Sequence, residues 1–222
     1  MTGALLASGR AADVFADAPG RVLRRYRDGL GAEREALVME HARAHGFPVP
    51  AVYDAHGPEL VLERIEGPTM LADLAARPWR VLDHAKLLAD LHHRLHAIEA
   101  PPELPSRLPG RQLVHGDLHP DNVLLGEHGP VVIDWVAAGG GEGADDVAMT
   151  WIIVATSQIP ARQPSRAVMR AGRRLFVEAF LERAGRPQAA ERLAKVADLR
   201  LQDPHLLPAE QRAVQVLARR AR

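Results

Sequence analysis

RQLVHGDLHPDNVLLGEHGPVVIDW, residues 111–135, is the stretch that decides the fold. Two short apolar runs, Asn122–Leu125 and Val131–Trp135, flank Gly126-Glu127-His128-Gly129-Pro130. That is the pattern of a β-hairpin with a glycine-containing loop. Asp117 and Asn122 stand before the first strand and Asp134 inside the second. Turn chemistry accounts for Asp121, Asn122 and Gly126 one at a time. It does not account for a lone acid within Val131-Val132-Ile133-Asp134-Trp135, where a carboxylate is costly to bury unless paired or metal-bound.

The spacing suits phosphoryl transfer. That reaction needs a carboxylate beside the attacking hydroxyl, which Asp117 supplies from the loop, and oxygen ligands for Mg²⁺ bridging the ATP phosphates. Mg²⁺ takes a near-ideal octahedron of oxygens with only one or two carboxylates. The amide oxygen of Asn122 and the carboxylate of Asp134 fit that set, and pairing across a tight hairpin brings them together although they lie 12 apart in sequence. Asp121 reads as a solvated loop residue.

His-x-Asp-x-x-x-x-Asn followed by Ile-Asp-aromatic is the active-site pattern of the kinase fold. In detail, His115-Gly116-Asp117 with Ile133-Asp134-Trp135 resembles the aminoglycoside phosphotransferase and choline kinase-like family. The resemblance runs over nearly the whole chain. It implies an α+β, two-lobed protein-kinase-like fold: a small antiparallel β-sheet lobe with one helix over residues 1–66, and a mainly α-helical lobe over residues 67–222. It also implies Asp117 as catalytic base, Asn122 and Asp134 as Mg²⁺ ligands, and His115 as a brace for the loop. Asp146 would open the next helix and tie back to the catalytic-loop backbone, with Asp145 a cap.

Upstream, residues 4–15 read as strand, turn, strand; the resemblance places Ser8 and Gly9 over the phosphates and Val14 against adenine, although a lone Ser-Gly also suits an ordinary turn. Arg21–Tyr26 is a strand by its β-branched and aromatic content. Aligned with the kinase Val-Ala-Ile-Lys strand, Arg24 takes the lysine position, Val22 faces adenine, and Arg25 is the rival by register. Lys86 and Lys195 are the only lysines among 28 basic residues, so an arginine in a lysine's place is in keeping with the composition. Over the helix read at residues 32–45, Glu35 shares the stripe of Val38, Met39 and Ala42 and so points inward. Its partner is expected to be Arg24, as in the kinase lysine–glutamate pair; an acid favoured by the helix N-terminus is the other account. Leu60–Ile65, followed by Glu66-Gly67-Pro68, reads as a strand and hinge, with adenine held near Glu63 and Ile65 and floored by Leu124 and Ile133.

Leu87, Leu91, Leu95 and Ile98 mark an amphipathic helix that also carries His92, His93 and His96. His92 and His96, four apart, match a metal-binding spacing but show no third ligand in sequence, and are read as packing histidines. Ala137–Gly143 reads as a flexible glycine stretch and Trp151–Ala155 as buried. Helices follow near residues 167–183, 189–201 and 209–222. From Ala155 to Arg222 there are 14 Lys/Arg and 6 Asp/Glu, a poor match for a polycationic acceptor.

The chain has 222 residues, formal net charge zero and no cysteine. It can bury one substantial core. It shows no global reason for a nucleic-acid or membrane partner, no thiolate metal site, and neither a membrane-length apolar run nor a signal-peptide layout. The reading is a cytoplasmic, ATP- and Mg²⁺-dependent enzyme that phosphorylates a hydroxyl of a small-molecule acceptor. A small atypical protein kinase of the Bud32 type and a nucleotide-binding pseudokinase or scaffold are the alternatives.

Overall fold

The computed structural model describes residues 3–9, 12–27, 31–104, 109–158, 166–204 and 206–221. The architecture is α+β. Strands β1 (Leu5–Ser8), β2 (Ala12–Ala16), β3 (Arg21–Tyr26), β4 (Val52–His56) and β5 (Glu59–Glu63) form one antiparallel sheet in the order β1-β2-β3-β5-β4. The register sets Val14 opposite Arg24, and Arg24 opposite Leu60. Alternation therefore puts Val22 and Arg24 on the face that carries the buried Leu60 and Leu62, and Arg25 on the other face.

Helix α1 (Ala32–Ala44) lies against this sheet and buries Ala32, Glu35, Ala36, Val38, Met39 and Ala42. Glu35 belongs to the apolar stripe that its spacing indicated. The strand expected over Leu60–Ile65 ends at Glu63. Gly67 follows with φ +149°, and a Cβ there would sit 2.2 Å from the Leu125 carbonyl oxygen. Only glycine lets this connection lie directly on the hairpin of residues 123–132.

Helices α2 (Met70–Ala76), α3 (Val81–His96), α4 (Gly143–Thr156), α5 (Arg166–Ala184), α6 (Arg186–Arg200) and α7 (Pro208–Ala221) make the larger part of the molecule. Helix α5 packs on α3, α6 on α4, and α7 on α6. Leu88, Leu91, Leu95, Ile152, Phe180 and Leu181 are almost fully buried among them. At roughly 1.5–3 kcal/mol per fully buried large apolar side chain, this interior is a main source of the lobe's cohesion.

Two expectations need correction. Ala137–Gly143 is not a loose linker: Gly139–Gly141 is strand β9, buried and paired with β6 (Gln112–Val114). A Cβ at Gly141 would lie 2.9 Å from Val114 Cγ2, so small residues are what allow this close pairing. Asp121 is exposed, as its reading as a solvated residue expects, and in addition accepts a hydrogen bond from Thr69 Oγ1 at 2.9 Å; that hydroxyl caps α2 by accepting from the Ala72 N–H. Within Trp151–Ala155 only Ile152 is fully buried, because one face of α4 is turned outward.

Candidate active site

Strands β7 (Val123–Gly126) and β8 (Gly129–Val132) form the hairpin read from the sequence. The Ile133 N–H donates to the Asn122 carbonyl at 3.0 Å and continues the ladder one residue beyond the strands. This brings the turn holding Asn122 beside the segment holding Asp134. Asn122 Nδ2 donates to the Asp117 carbonyl at 2.9 Å and to Asp117 Oδ2 at 3.2 Å. Asp117, Asn122 and Asp134 thus occupy one end of the hairpin. Asp134 has φ +67°, the only positive φ of a non-glycine residue among those described. Such a conformation costs on the order of 1 kcal/mol and persists only where surrounding contacts hold it.

Arg24 is what holds it. Its Nη1 donates to Glu35 Oε1 at 3.0 Å and its Nη2 to Asp134 Oδ1 at 2.5 Å. The register question between Arg24 and Arg25 is answered in space: Arg25 donates to Glu59 on the opposite face. Glu35 Oε1 also accepts the Trp135 N–H at 2.7 Å, while Glu35 Oε2 is buried with no hydrogen-bond partner. Burial raises the Glu35 carboxyl to about 7 against the opposing pull of Arg24. One cation shared between two carboxylates cannot fully offset that desolvation. Burial alone would lower the Arg24 guanidinium; Glu35 and Asp134 outweigh it and the net shift is upward. Arg34 adds a second tie from α1, donating to the carbonyls of Val136 at 3.1 Å and Ala138 at 2.7 Å.

The loop before the hairpin is fixed from behind. His115 is fully buried, packs on Trp135 with ring centroids 4.7 Å apart, and takes the Asp117 N–H on Nδ1 at 3.3 Å. Its Nε2 therefore carries the proton and donates to the Ile133 carbonyl at 3.2 Å. Asp146, on α4, accepts the N–H groups of His115 and Gly116 at 3.1 and 2.8 Å. His96 donates to Asp146 at 3.0 Å, and His92 lies 3.5 Å from the same oxygen. Burial pushes the Asp146 carboxyl up, but His92 and His96 beside it win and hold it well below the usual carboxylate range. The histidine pair without a third partner in sequence thus meets one in the fold: these side chains support the loop through Asp146. A cavity of about 60 Å³ adjoins this support, with Gly116, Ala137, Asp145, Asp146, Met149 and Leu199 in its wall. Asp145 is no exposed cap; it is buried, its carboxylate 3.7 Å from Lys195 and 4.0 Å from Arg192.

The other expected positions are spread around this centre. Val14 and Val22 share the sheet face of Arg24. Leu124 and Ile133 are half-buried on the hairpin. Ile65 approaches it too, its Cγ2 3.2 Å from where a Cβ of Gly126 would be. Glu63 is engaged through Oε2 by the Ala51 N–H at 3.0 Å. Ser8 and Gly9 do not join the group. The Ser8 hydroxyl donates to Asp13 and accepts from Arg27, and the Gly9 N–H bonds the Ala12 carbonyl. By register Ser8 pairs with Asp13 and so lies on the face away from Arg24. Missed altogether in the sequence were His119, whose Nε2 is 3.6 Å from Asp117 Oδ2, and Arg200, whose Nη1 is 3.9 Å from Asp117 Oδ1. Burial raises the Asp117 carboxyl, but the neighbouring His119 and Arg200 leave it lowered overall.

The profile of the Phosphotransferase enzyme family matches residues 94–196, and that of the RIO domain residues 12–138; they overlap across the β7–β8 hairpin. The RIO-domain match spans more than half of the chain, which belongs to that family; the phosphotransferase match spans slightly less than half and marks a similarity. Solved structures agree on the fold. Aminoglycoside phosphotransferase APH(4)-Ia superposes with a TM-score of 0.66 at 18% identity, over 97% of this chain and 92% of that one. The APH(2")-IIa structure, a ternary complex with streptomycin and ATP, gives 0.61 at 14% identity over 88% and 82%. An ethanolamine kinase from Plasmodium vivax gives 0.61 at 12% identity over 96% and 80%. No curated protein sequence matches. No helix among the described residues is long and apolar enough to cross a membrane.

Proposed function

We propose that this chain is a cytoplasmic kinase that moves the γ-phosphoryl group of ATP to a hydroxyl of a small molecule, with Mg²⁺. The observation that carries the reading is the meeting of Asp117, Asn122 and Asp134 at one end of the hairpin, with Arg24 and Glu35 behind them. The oxygens fit the metal. Asn122 turns its amide nitrogen to Asp117, while its Oδ1 and Asp134 Oδ2 accept no hydrogen bond among the described residues. These are hard oxygen donors of the kind Mg²⁺ takes, Asp134 half-exposed and Asn122 buried beside it. When bound there, the ion neutralises charge on the transferring phosphoryl group.

In this reading the sheet residues 1–66 carry the nucleotide, with Val14, Val22, Ile65, Leu124 and Ile133 around adenine and main-chain groups near Glu63 holding its edge. Arg24 serves the phosphates in the lysine's place, its forked guanidinium keeping Glu35 as a second partner. Ser8 and Gly9 have their polar groups engaged within the sheet and are left out of the phosphate site. Asp117 receives the acceptor hydroxyl and orients it, since a loose transition state asks for little early proton removal. His115 and Asp146 keep that loop in place.

The test is a transfer assay with labelled ATP against sugars, amino alcohols, nucleosides and antibiotics, run beside Asp117→Asn. Wild type should label an acceptor only with Mg²⁺. The variant should lose on the order of 10²–10⁴-fold in turnover while nucleotide affinity stays within about twofold. Equal losses in both would remove Asp117 from its role. The RIO-domain match over residues 12–138 favours one second reading, an atypical protein kinase. A protein or peptide labelled in preference to every small molecule would select it.

A further inference from the structure

Asp117 presents two unlike oxygens. Oδ2 takes the Asn122 amide at 3.2 Å and has His119 at 3.6 Å, while Oδ1 accepts no hydrogen bond among the described residues. The nearest cation to that free oxygen is Arg200 at the end of α6, its Nη1 3.9 Å away. That gap is too long for a direct hydrogen bond, so neither group satisfies the other. Arg200 does not swing freely: its side chain is only 18% exposed, and Asp203 holds the same nitrogen at 3.2 Å. A fixed guanidinium therefore borders the spot where a hydroxyl bound to Asp117 Oδ1 has its neighbouring atoms.

We infer that Arg200 is a specificity-determining residue on the acceptor side, selecting compounds that carry an oxygen substituent next to the reacting hydroxyl and rejecting those with an ammonium there. This rests on the phosphotransferase reading and on Asp117 as the acceptor's partner. The chemistry is direct. A hydroxyl oxygen about 2.8 Å from Oδ1 leaves the adjacent substituent within reach of the Arg200 N–H groups. An oxygen there accepts from the guanidinium, which is a donor only. An ammonium has no lone pair to accept with and meets a like charge in a partly desolvated place. Asp203 cannot turn to rescue it, because it is engaged with Arg200 itself. Polyols, sugars and hydroxy acids thus suit this site, and vicinal amino alcohols do not. The excess of positive charge in the tail from Ala155 onward runs in the same direction.

Matched acceptors decide it: glucose against glucosamine, and scyllo-inositol against scyllo-inosamine, with ATP, Mg²⁺ and the full chain. Wild type should favour the oxygen member of each pair by about tenfold or more in kcat/KM. Arg200→Gln should erase that ratio mainly through a higher KM for the oxygen member, and Arg200→Lys should restore part of it. An equal or better rate with the amino members, an unchanged ratio in Arg200→Gln, or ATP hydrolysed without transfer to either pair overturns the inference. If ATP is neither hydrolysed nor transferred to any compound, the failure lies in the phosphotransferase reading beneath it.

Discussion

Replacing Glu35 by Gln tests the electrostatics at the centre of the molecule. The Glu35 side chain is 3% exposed, with one oxygen shared by Arg24 and the Trp135 N–H and the other without a partner. Its carboxyl binds a proton up to about pH 7 in the folded chain, against an ordinary value of 4.5. Between those two values the folded state holds a proton that the unfolded state has released. Stability therefore falls as pH rises through this window, and the difference is on the order of 3 kcal/mol. Gln imitates the protonated acid and does not titrate. At pH 5 the variant and wild type should unfold with nearly equal free energies. At pH 8 the variant should be the more stable, by up to about 3 kcal/mol. Urea unfolding at pH 5, 6, 7 and 8, followed by the fluorescence of the buried Trp135, measures the difference directly. The difference between the two proteins matters, because His92 and His115 are lowered by burial and tilt the common background the other way. Parallel curves across the whole range would show that Arg24 fully compensates Glu35, and the argument from the orphaned oxygen would fall.

Arg24→Ala should cost about 2–4 kcal/mol of stability, because it strands two carboxylates, and should weaken ATP binding as well. Arg25→Ala, which removes a half-exposed pair with Glu59, should stay within about 0.5 kcal/mol and leave ATP titrations alone; the reverse ranking would mean the wrong arginine faces the cleft. For Asp134→Ala, nucleotide binding should lose its dependence on Mg²⁺, and an unaltered metal titration would remove Asp134 from the ligand set. Asp146→Asn should destabilise by about 2–3 kcal/mol at neutral pH, having lost charge from an acceptor of two backbone N–H groups. Because the folded Asp146 binds its proton well below 3.8, wild type loses this contribution only as pH falls beneath that value. Acid unfolding curves of wild type and variant should therefore converge at low pH.

Local pattern carried the parts of this site that lie on regular elements. Period-two alternation in β3 separates Arg24 from Arg25, and the helical stripe of α1 turns Glu35 inward; the structure joins the two residues at 3.0 Å. The hairpin was legible because its turn and both apolar runs are contiguous. What escaped were contacts set by distant parts of the chain. Nothing near Arg200 announces that it stops beside Asp117, because α6 is placed by packing on α4. Gly139–Gly141 resembles a linker by propensity; it is a strand through its pairing with Gln112–Val114, and Val114 leaves no room for a Cβ at Gly141. Ser8 and Gly9 fit a phosphate loop by composition, yet Asp13 and Arg27 occupy their polar groups. His92 and His96 lacked a third member until α4 brought Asp146 to them.

The contact of Arg24 with Asp134 has a consequence for affinity. In the proposed reading, a triphosphate and its Mg²⁺ each draw one end of that contact toward themselves. Arg24 and Asp134 already neutralise each other, so binding there would be an exchange of partners. Variants that slacken the contact without removing either charge should admit nucleotide more readily than the native chain does.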